Sequence, residues 1–215
     1  MSVLVKICGL STPEAVAAAV DHGAGMAGFV FYPPSPRHVT AEKAAELIEP
    51  MPSGVDRVGL FVDADDATIE AVLNRAGLDL LQLHGAETPE RVQEVKRRFR
   101  RPVIKAIKLQ GPEDLAEADR YDGIADWLLF DAKAPKDRPG ALPGGNGLVF
   151  DWELLRGRRF RRPWLLSGGL DADNLAEAVR ISGAPAVDVS SGVESAPGRK
   201  DVLKILAFLH VAARL

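Results

Sequence analysis

A thiol, an imidazole and a carboxyl group stand where short apolar runs of the chain end. Cys8, His84 and Asp131 each come directly after such a run. A carboxyl group can donate a proton, and a thiol can accept one when nearby positive charge lowers its pKa. An isomerase needs an acid and a base on different sides of one substrate. Cys8 and Asp131 are therefore candidate catalytic residues, while His84 would either orient a substrate or serve as a buried structural histidine.

The same residues also have structural interpretations. A single cysteine is commonly a small buried apolar residue, and an aspartate after a strand can cap a helix or hold an ion pair. Lys6 lies two residues before Cys8, so strand alternation places both side chains on one face. We expect Lys6 to form an interior ion pair one layer below the site rather than to touch a substrate.

An arginine follows a proline-rich turn. Three prolines fall within the four residues 33–36, and Arg37 comes next. Because proline fixes its own backbone, this turn is stiff and can hold Arg37 at little cost in ordering. A guanidinium held in this way suits a planar carboxylate, so Arg37 is a candidate substrate-binding residue. The alternative is a solvated surface arginine.

Two glycine-containing loops follow the last two apolar runs. Ser167, Gly168 and Gly169 form the first loop, and the second loop has the sequence Ser-Ser-Gly at 190–192. Glycine lets backbone N–H groups approach an anion closely, and a helix N-terminus favours negative charge. We expect these two loops to bind a phosphate, although both could be ordinary turns. Asp188, just before the second loop, is counted with Arg37 and His84 as a candidate substrate-binding residue. The residues predicted for the phosphate are Ser167, Gly168, Gly169, Ser190, Ser191 and Gly192.

The elements that must position these side chains are strands that alternate with helical segments. Such alternation predicts parallel strands with right-handed crossovers, and eight such units close into a (β/α)8 TIM barrel. Barrel sites form at the carboxyl ends of the strands, where the candidate residues fall. The alternative is a doubly wound open sheet. Strands are predicted at 3–7, 27–31, 57–62, 80–83, 103–107, 127–130, 164–166 and 186–189. Helices are predicted at 12–22, 41–49, 66–75, 89–99, 112–119, 151–155, 172–181 and 201–213.

Composition narrows the class of protein. The 215 residues fit one domain, 1–215, and the segment 131–147 is the longest without a predicted element, as in a functional lid or a disordered loop. With 27 Lys and Arg against 30 Asp and Glu, the net charge of −3 argues against a partner that is nucleic acid or an anionic membrane. The five arginines at 156–162 are expected to form a solvated turn.

No targeting segment is evident, so the cytoplasm is expected. One cysteine excludes an intramolecular disulfide, and no His, Asp and Glu set has metal-ligand spacing, so no metal is expected.

The motifs together resemble the phosphoribosylanthranilate isomerase family of tryptophan biosynthesis, in order and over nearly the whole chain. The N-terminal motifs are Lys6-Ile7-Cys8-Gly9-Leu10, Phe31-Tyr32-Pro33-Pro34-Ser35-Pro36-Arg37, Gly59-Leu60-Phe61-Val62 and Gln82-Leu83-His84-Gly85. The C-terminal motifs are Phe130-Asp131, Gly144-Gly145-Asn146-Gly147, Phe150-Asp151-Trp152, Ser167-Gly168-Gly169-Leu170 and Val187-Asp188-Val189-Ser190-Ser191-Gly192-Val193-Glu194.

The resemblance implies an Amadori rearrangement of N-(5-phosphoribosyl)anthranilate to 1-(2-carboxyphenylamino)-1-deoxyribulose 5-phosphate. It implies that Asp131 is the general acid that opens the furanose ring, and that Cys8 is the general base that removes the C2′ proton. Arg37 would hold the anthranilate carboxylate, and no cofactor would be needed because the substrate nitrogen serves as the electron sink. The expected partner is a small phosphorylated molecule, and the chain is expected to be a monomer or a weak homo-oligomer.

Three other functions are compatible with a barrel of this kind. The related histidine-pathway isomerase performs the same rearrangement but uses paired aspartates, whereas the first strand here ends at Cys8. A metal-dependent pentose-phosphate epimerase would need several His and Asp ligands, of which only His84 is clearly placed. A barrel that binds a phosphorylated ligand without turnover would not need both Cys8 and Asp131.

Overall fold

The computed structural model describes residues 3–133, 144–145 and 147–215. Eight parallel strands close into a barrel in sequence order, with β1 pairing to both β2 and β8. The predicted TIM barrel is therefore confirmed, and the open sheet is wrong. The barrel strands are β1 Leu4–Cys8, β2 Met26–Val30, β3 Asp56–Phe61, β4 Leu80–Leu83, β5 Val103–Leu109, β6 Trp127–Ala132, β7 Trp164–Leu166 and β8 Ala186–Val189.

Helices cover the outside of the barrel. Their N-termini often follow the predicted signals: the Thr88 hydroxyl accepts a hydrogen bond from the Arg91 N–H, and Pro89 begins the helix. The α-helices are α1 Pro13–Asp21, α2 Ala41–Ile48, α3 Asp66–Leu73, α4 Pro89–Phe99, α5 Leu115–Tyr121, α6 Leu175–Ser182 and α7 Val202–Ala212. Short 3-10 helices occupy Pro112–Asp114, Trp152–Leu155 and Ser191–Val193.

Two differences from the prediction lie close to the predicted site residues. Strand β6 continues through Asp131 to Ala132, because both residues extend the parallel ladder with β5. The segment 194–200, for which the sequence predicts no strand, holds an antiparallel hairpin of β9 Glu194–Ala196 and β10 Arg199–Lys200. Most of the predicted lid segment and Asn146 lie outside the described residues.

The barrel interior is filled by a layer of apolar side chains below the strand ends. The layer has members from β2 to β8 and separates the site from the opposite end of the barrel. These residues are Met26, Val58, Leu80, Ile104, Ala106, Leu129, Leu165 and Ala186. Among the described residues, no helix is long and apolar enough to span a membrane.

Candidate active site

A cavity opens at the carboxyl ends of the barrel strands. Its empty volume is about 740 Å³, part of it open to solvent, which is the size of a site for a small ligand. Ten of the eleven predicted site residues line it, and the exception is Gly192. The ten are Cys8, Arg37, His84, Asp131, Ser167, Gly168, Gly169, Asp188, Ser190 and Ser191.

The candidate base, Cys8, is the last residue of β1 and is buried at the bottom of this cavity. Burial raises the pKa of its thiol, while the nearby Lys6 and Lys200 ammonium groups oppose that rise. A Cβ atom built on Gly28 would lie 3.1 Å from Lys6 Nζ and 3.2 Å from Cys8 Sγ, so the ammonium and the thiol face the same small space. A cation in this position stabilises the thiolate, which is the form that can take a proton.

Lys6 lies in the barrel interior as predicted. Its Nζ donates to Asp188 Oδ1 at 2.8 Å, and the two residues are register partners across the β1–β8 seam. Burial alone would lower the pKa of Lys6, but Asp188 and Cys8 hold it above its ordinary value, so the ammonium is charged. Asp188 Oδ2 accepts from the Ser167 hydroxyl at 3.1 Å. Asp188 thus anchors Lys6 and one loop, and its contact with a substrate stays a prediction.

The candidate acid, Asp131, lines the cavity from β6 and lies in contact with His84. His84 Nε2 lies 3.2 Å from Asp131 Oδ2, and His84 Nδ1 lies 2.9 Å from the Gln82 side-chain nitrogen. If the Gln82 amide donates to Nδ1, the imidazole carries its proton on Nε2 and donates a hydrogen bond to Asp131 Oδ2. His84 is therefore placed to orient the acid. Gln82 was not predicted, although a polar side chain inside the buried run Leu80–Leu83 was the available signal.

Arg37 is 5% exposed, so the interpretation as a solvated surface arginine is wrong. Its Nε donates to Glu194 Oε1 at 2.7 Å and its Nη2 to Glu194 Oε2 at 2.8 Å. Gly9 has φ of +80°, and a Cβ there would lie 2.7 Å from Arg37 Cδ. Glycine at this position therefore gives the arginine side chain room to cross the end of β1. Glu194 and its second partner Lys200 were not predicted, since they lie on the unexpected hairpin.

The two loops predicted to bind phosphate lie side by side at the ends of β7 and β8. Gly168 and Gly169 have φ of +87° and +62°, and their N–H groups have no acceptor among the described residues. The second loop leads into the 3-10 helix Ser191–Val193. Gly192 packs against the Leu170 backbone, where a Cβ would collide with the carbonyl oxygen, so it shapes the loop rather than lining the cavity. N–H groups that lack a protein acceptor beside a cavity suit an anion.

The remaining polar groups do not form a metal site. Among residues 3–133, 144–145 and 147–215, no three His, Cys, Asp or Glu side chains are placed to hold a metal ion. The arginine-rich segment 156–162 precedes β7, at the opposite end of the barrel from the cavity, and most of its residues are exposed. The described residues of the cavity thus bring together a carboxyl group, a thiol, a guanidinium and two loops with N–H groups that lack a protein acceptor.

Known proteins that are similar to this chain share one enzyme name. The family model described as N-(5′-phosphoribosyl)anthranilate (PRA) isomerase matches residues 5–211. A curated N-(5′-phosphoribosyl)anthranilate isomerase from Rhodospirillum centenum is 59% identical over 215 residues, which is 100% of both chains. The crystal structure of phosphoribosyl anthranilate isomerase from Thermotoga maritima is 37% identical with a TM-score of 0.88, covering 99% of this chain and 100% of that one.

A further solved structure holds a ligand. It is a phosphoribosyl anthranilate isomerase in complex with reduced 1-(o-carboxyphenylamino)-1-deoxyribulose 5-phosphate, and it is 36% identical with a TM-score of 0.85 over 99% of this chain and 100% of that one. The family match spans the barrel from β1 to α7 and includes every candidate site residue. This chain belongs to the N-(5′-phosphoribosyl)anthranilate isomerase family.

Proposed function

We propose that this chain catalyses the Amadori rearrangement of N-(5-phosphoribosyl)anthranilate to 1-(2-carboxyphenylamino)-1-deoxyribulose 5-phosphate in tryptophan biosynthesis. The observation that carries the proposal is that one cavity holds a thiol on β1 and a carboxyl group on β6, beside two loops suited to a phosphate. The ligand of the solved relative resembles the proposed product. It has a phosphate, an open sugar chain and a carboxyphenylamino group.

The first step is ring opening, and Asp131 is its acid. The carboxyl proton passes to the furanose ring oxygen, the bond from that oxygen to C1′ breaks, and the nitrogen lone pair forms a protonated Schiff base with C1′. His84, in contact with Asp131 Oδ2 at 3.2 Å, orients the carboxyl group for this transfer. A positioned acid of this kind contributes about 10²–10⁴-fold to the rate.

The second step removes the C2′ proton, and Cys8 is its base. The thiolate takes the proton, and the electrons of the C–H bond form the C1′–C2′ double bond of an enolamine while the iminium nitrogen is neutralised. The enolamine then becomes the ketone as its C2′ hydroxyl proton is lost and C1′ is protonated. The sequence is a net isomerisation and consumes no oxidant or reductant. Lys6, two residues before Cys8 on the same face of β1, stabilises the thiolate.

Binding is divided between the two ends of the substrate. The Gly168–Gly169 loop and the loop at Ser190–Ser191 hold the phosphate, and Arg37 meets the anthranilate carboxylate. A phosphorylated small molecule is thus the partner of the site. The monomeric or weakly oligomeric state and the cytoplasmic location stay predictions, the first of which sedimentation of the purified protein measures directly.

The test is turnover of freshly prepared N-(5-phosphoribosyl)anthranilate by the purified protein, followed as loss of the anthranilate-type fluorescence. We expect turnover by the wild type and its near loss in Cys8→Ser and Asp131→Asn. Tight binding of the reduced product analogue without any turnover would instead make the barrel a ligand-binding protein.

A further inference from the structure

The hairpin β9–β10 contributes a buried group of charges to the wall of the site. The Glu194 carboxylate accepts from Arg37 Nε and Nη2 on one side, and from Lys200 Nζ at 2.8 Å on the other. The three side chains are only 1–6% exposed. A bidentate arginine–carboxylate pair in such a place is a strong and geometrically specific contact.

The group carries more positive than negative charge. Arg37 and Lys200 share one carboxylate, and the neighbouring Asp188 is already paired with Lys6. Burial lowers the pKa of Lys200, while the Glu194 carboxylate opposes that fall. Although burial would raise the pKa of Glu194, Arg37 and Lys200 hold it below its ordinary value, so the carboxylate is ionised. Buried charge is costly unless it is paired, and a surplus cation beside an open cavity favours an anionic ligand.

Glu194 also determines which edge of the guanidinium faces the cavity. It occupies Nε and one position of Nη2, while the Gly145 carbonyl accepts weakly from Nη2 at 3.2 Å. Nη1 has no acceptor among the described residues and lies beside Gly145, which lines the cavity. A carboxylate in the cavity would therefore contact the Nη1 edge of the guanidinium. The ion pair of Nε and Nη2 with Glu194 fixes the direction in which that edge points.

Lys200 ties this contact to the rest of the site. Its Nζ donates to the Ser190 carbonyl at 2.9 Å and lies 3.2 Å from the Ser190 hydroxyl, which itself donates to the Cys8 carbonyl at 3.1 Å. Lys200, which is bonded to Ser190 at the end of β8, thus holds the Glu194 carboxylate on the side away from Arg37. The carboxylate has little freedom to follow Arg37 if the arginine moves.

We propose that Glu194 is a positioning residue for carboxylate recognition, which acts through Arg37 by fixing the guanidinium so that its Nη1 edge meets the carboxylate of the bound ligand. The proposal rests on the proposed function only for the identity of that ligand. It predicts that Glu194 affects ligands that carry the aromatic carboxylate more strongly than ligands that lack it.

The experiment is a double-mutant cycle read with two ligands. Wild type, Glu194→Gln, Arg37→Ala and the double variant are titrated with the reduced product analogue and with its counterpart that lacks the carboxylate. Glutamine keeps the size of the side chain but turns an amide N–H₂ toward Arg37 or Lys200, so at least one charge-assisted hydrogen bond is lost. Glu46→Gln is the matched control, because Glu46 forms an exposed ion pair with Lys43 on α2.

We expect Glu194→Gln to weaken the carboxylate-bearing analogue by about 10-fold or more, and its counterpart by less than about twofold. In the Arg37→Ala background the same substitution should add less than about twofold, because the residue through which it acts is gone. In turnover, KM should rise while kcat changes little. Glu46→Gln should leave both affinities unchanged.

Equal losses for the two analogues, or losses that add in the double variant, would overturn the proposal and make Glu194 a general support of the hairpin. If Glu194→Gln fails to fold by circular dichroism, Glu194→Asp keeps the charge but shortens the reach, and the same discrimination between the analogues decides. Absence of turnover in a wild type that binds the analogue would refute the proposed function and leave this binding test intact.

Discussion

Replacement of Lys6 by methionine tests how the site makes its base. The methionine side chain is similar in size, but it has neither the charge of lysine nor the N–H that donates to Asp188. Lys6 Nζ and Cys8 Sγ are at most about 6.3 Å apart, the sum of their distances of 3.1 Å and 3.2 Å to a Cβ position on Gly28. At that separation and an effective dielectric constant near 20, a unit charge stabilises a thiolate by ~2–3 kcal/mol. We therefore expect the pKa of Cys8 to rise by about two units in Lys6→Met.

The sign of the effect on activity follows from the role of the thiolate. The base is available above the thiol pKa and is lost as the pH falls through it. Burial already raises the pKa of Cys8, and Asp188 would raise it further once Lys6 no longer balances it. The acid limb of kcat/KM should consequently move to higher pH in Lys6→Met, with a loss of activity at neutral pH.

The assay is alkylation of Cys8 by iodoacetamide as a function of pH. The chain has one cysteine, so the rate reports one thiol without interference. The midpoint of the alkylation profile gives the thiol pKa directly, and the acid limb of kcat/KM in the free enzyme should move with it. An alkylation midpoint in Lys6→Met within about 0.3 units of the wild type would refute the electrostatic role of Lys6.

Because Lys6→Met should also destabilise the folded protein, a second variant is needed to separate stability from the pKa of Cys8. Loss of Lys6 leaves Asp188 buried without its partner, and breaking a buried pair in this way costs about 3–5 kcal/mol. The double variant Lys6→Met/Asp188→Asn removes both charges and should recover most of the melting temperature. Its alkylation midpoint should fall between those of the wild type and Lys6→Met, because a cation and an anion near Cys8 are lost together. A midpoint above that of Lys6→Met would contradict the charge argument.

Further predictions concern the acid and base, the anion site and metal removal. The variants Cys8→Ser and Asp131→Asn should each have a kcat about 10²–10⁴-fold lower than the wild type and should still bind the reduced analogue. If Cys8→Ser retains more than about half of the wild-type kcat, the thiol is only a packing residue. Inorganic phosphate should compete with the substrate, and crystals soaked in it should show the anion at Gly168 and Gly169; an anion only at the arginines of 156–162 would contradict the assignment. Exhaustive chelation should leave kcat unchanged, and activity restored by added zinc, iron or manganese would contradict a mechanism that uses only groups of this chain.

The alternation of eight strands with helices in the sequence predicted a closed barrel and left a doubly wound open sheet as the alternative. Parallel strands that run in one direction bring all their carboxyl ends to one rim, so residues that directly follow the predicted strands had to meet there. For that reason Cys8, His84 and Asp131 could be assigned to one cavity without any knowledge of distances. The position of Lys6 followed in the same way from the period of two in a strand, which placed it inside the barrel below Cys8.

The partners of those residues were decided only by the tertiary structure. Lys6 meets Asp188 because the barrel closes between its first and last strands. Arg37 meets Glu194, 157 residues away, because the hairpin after β8 packs against the proline-rich turn that precedes Arg37. Neither pairing has a local pattern in the sequence, since an ion pair leaves no periodic signal and its geometry depends on where loops return to the barrel. The sequence thus determined which side chains share the rim, whereas closure of the barrel and the fold of the last loop decided which of them touch.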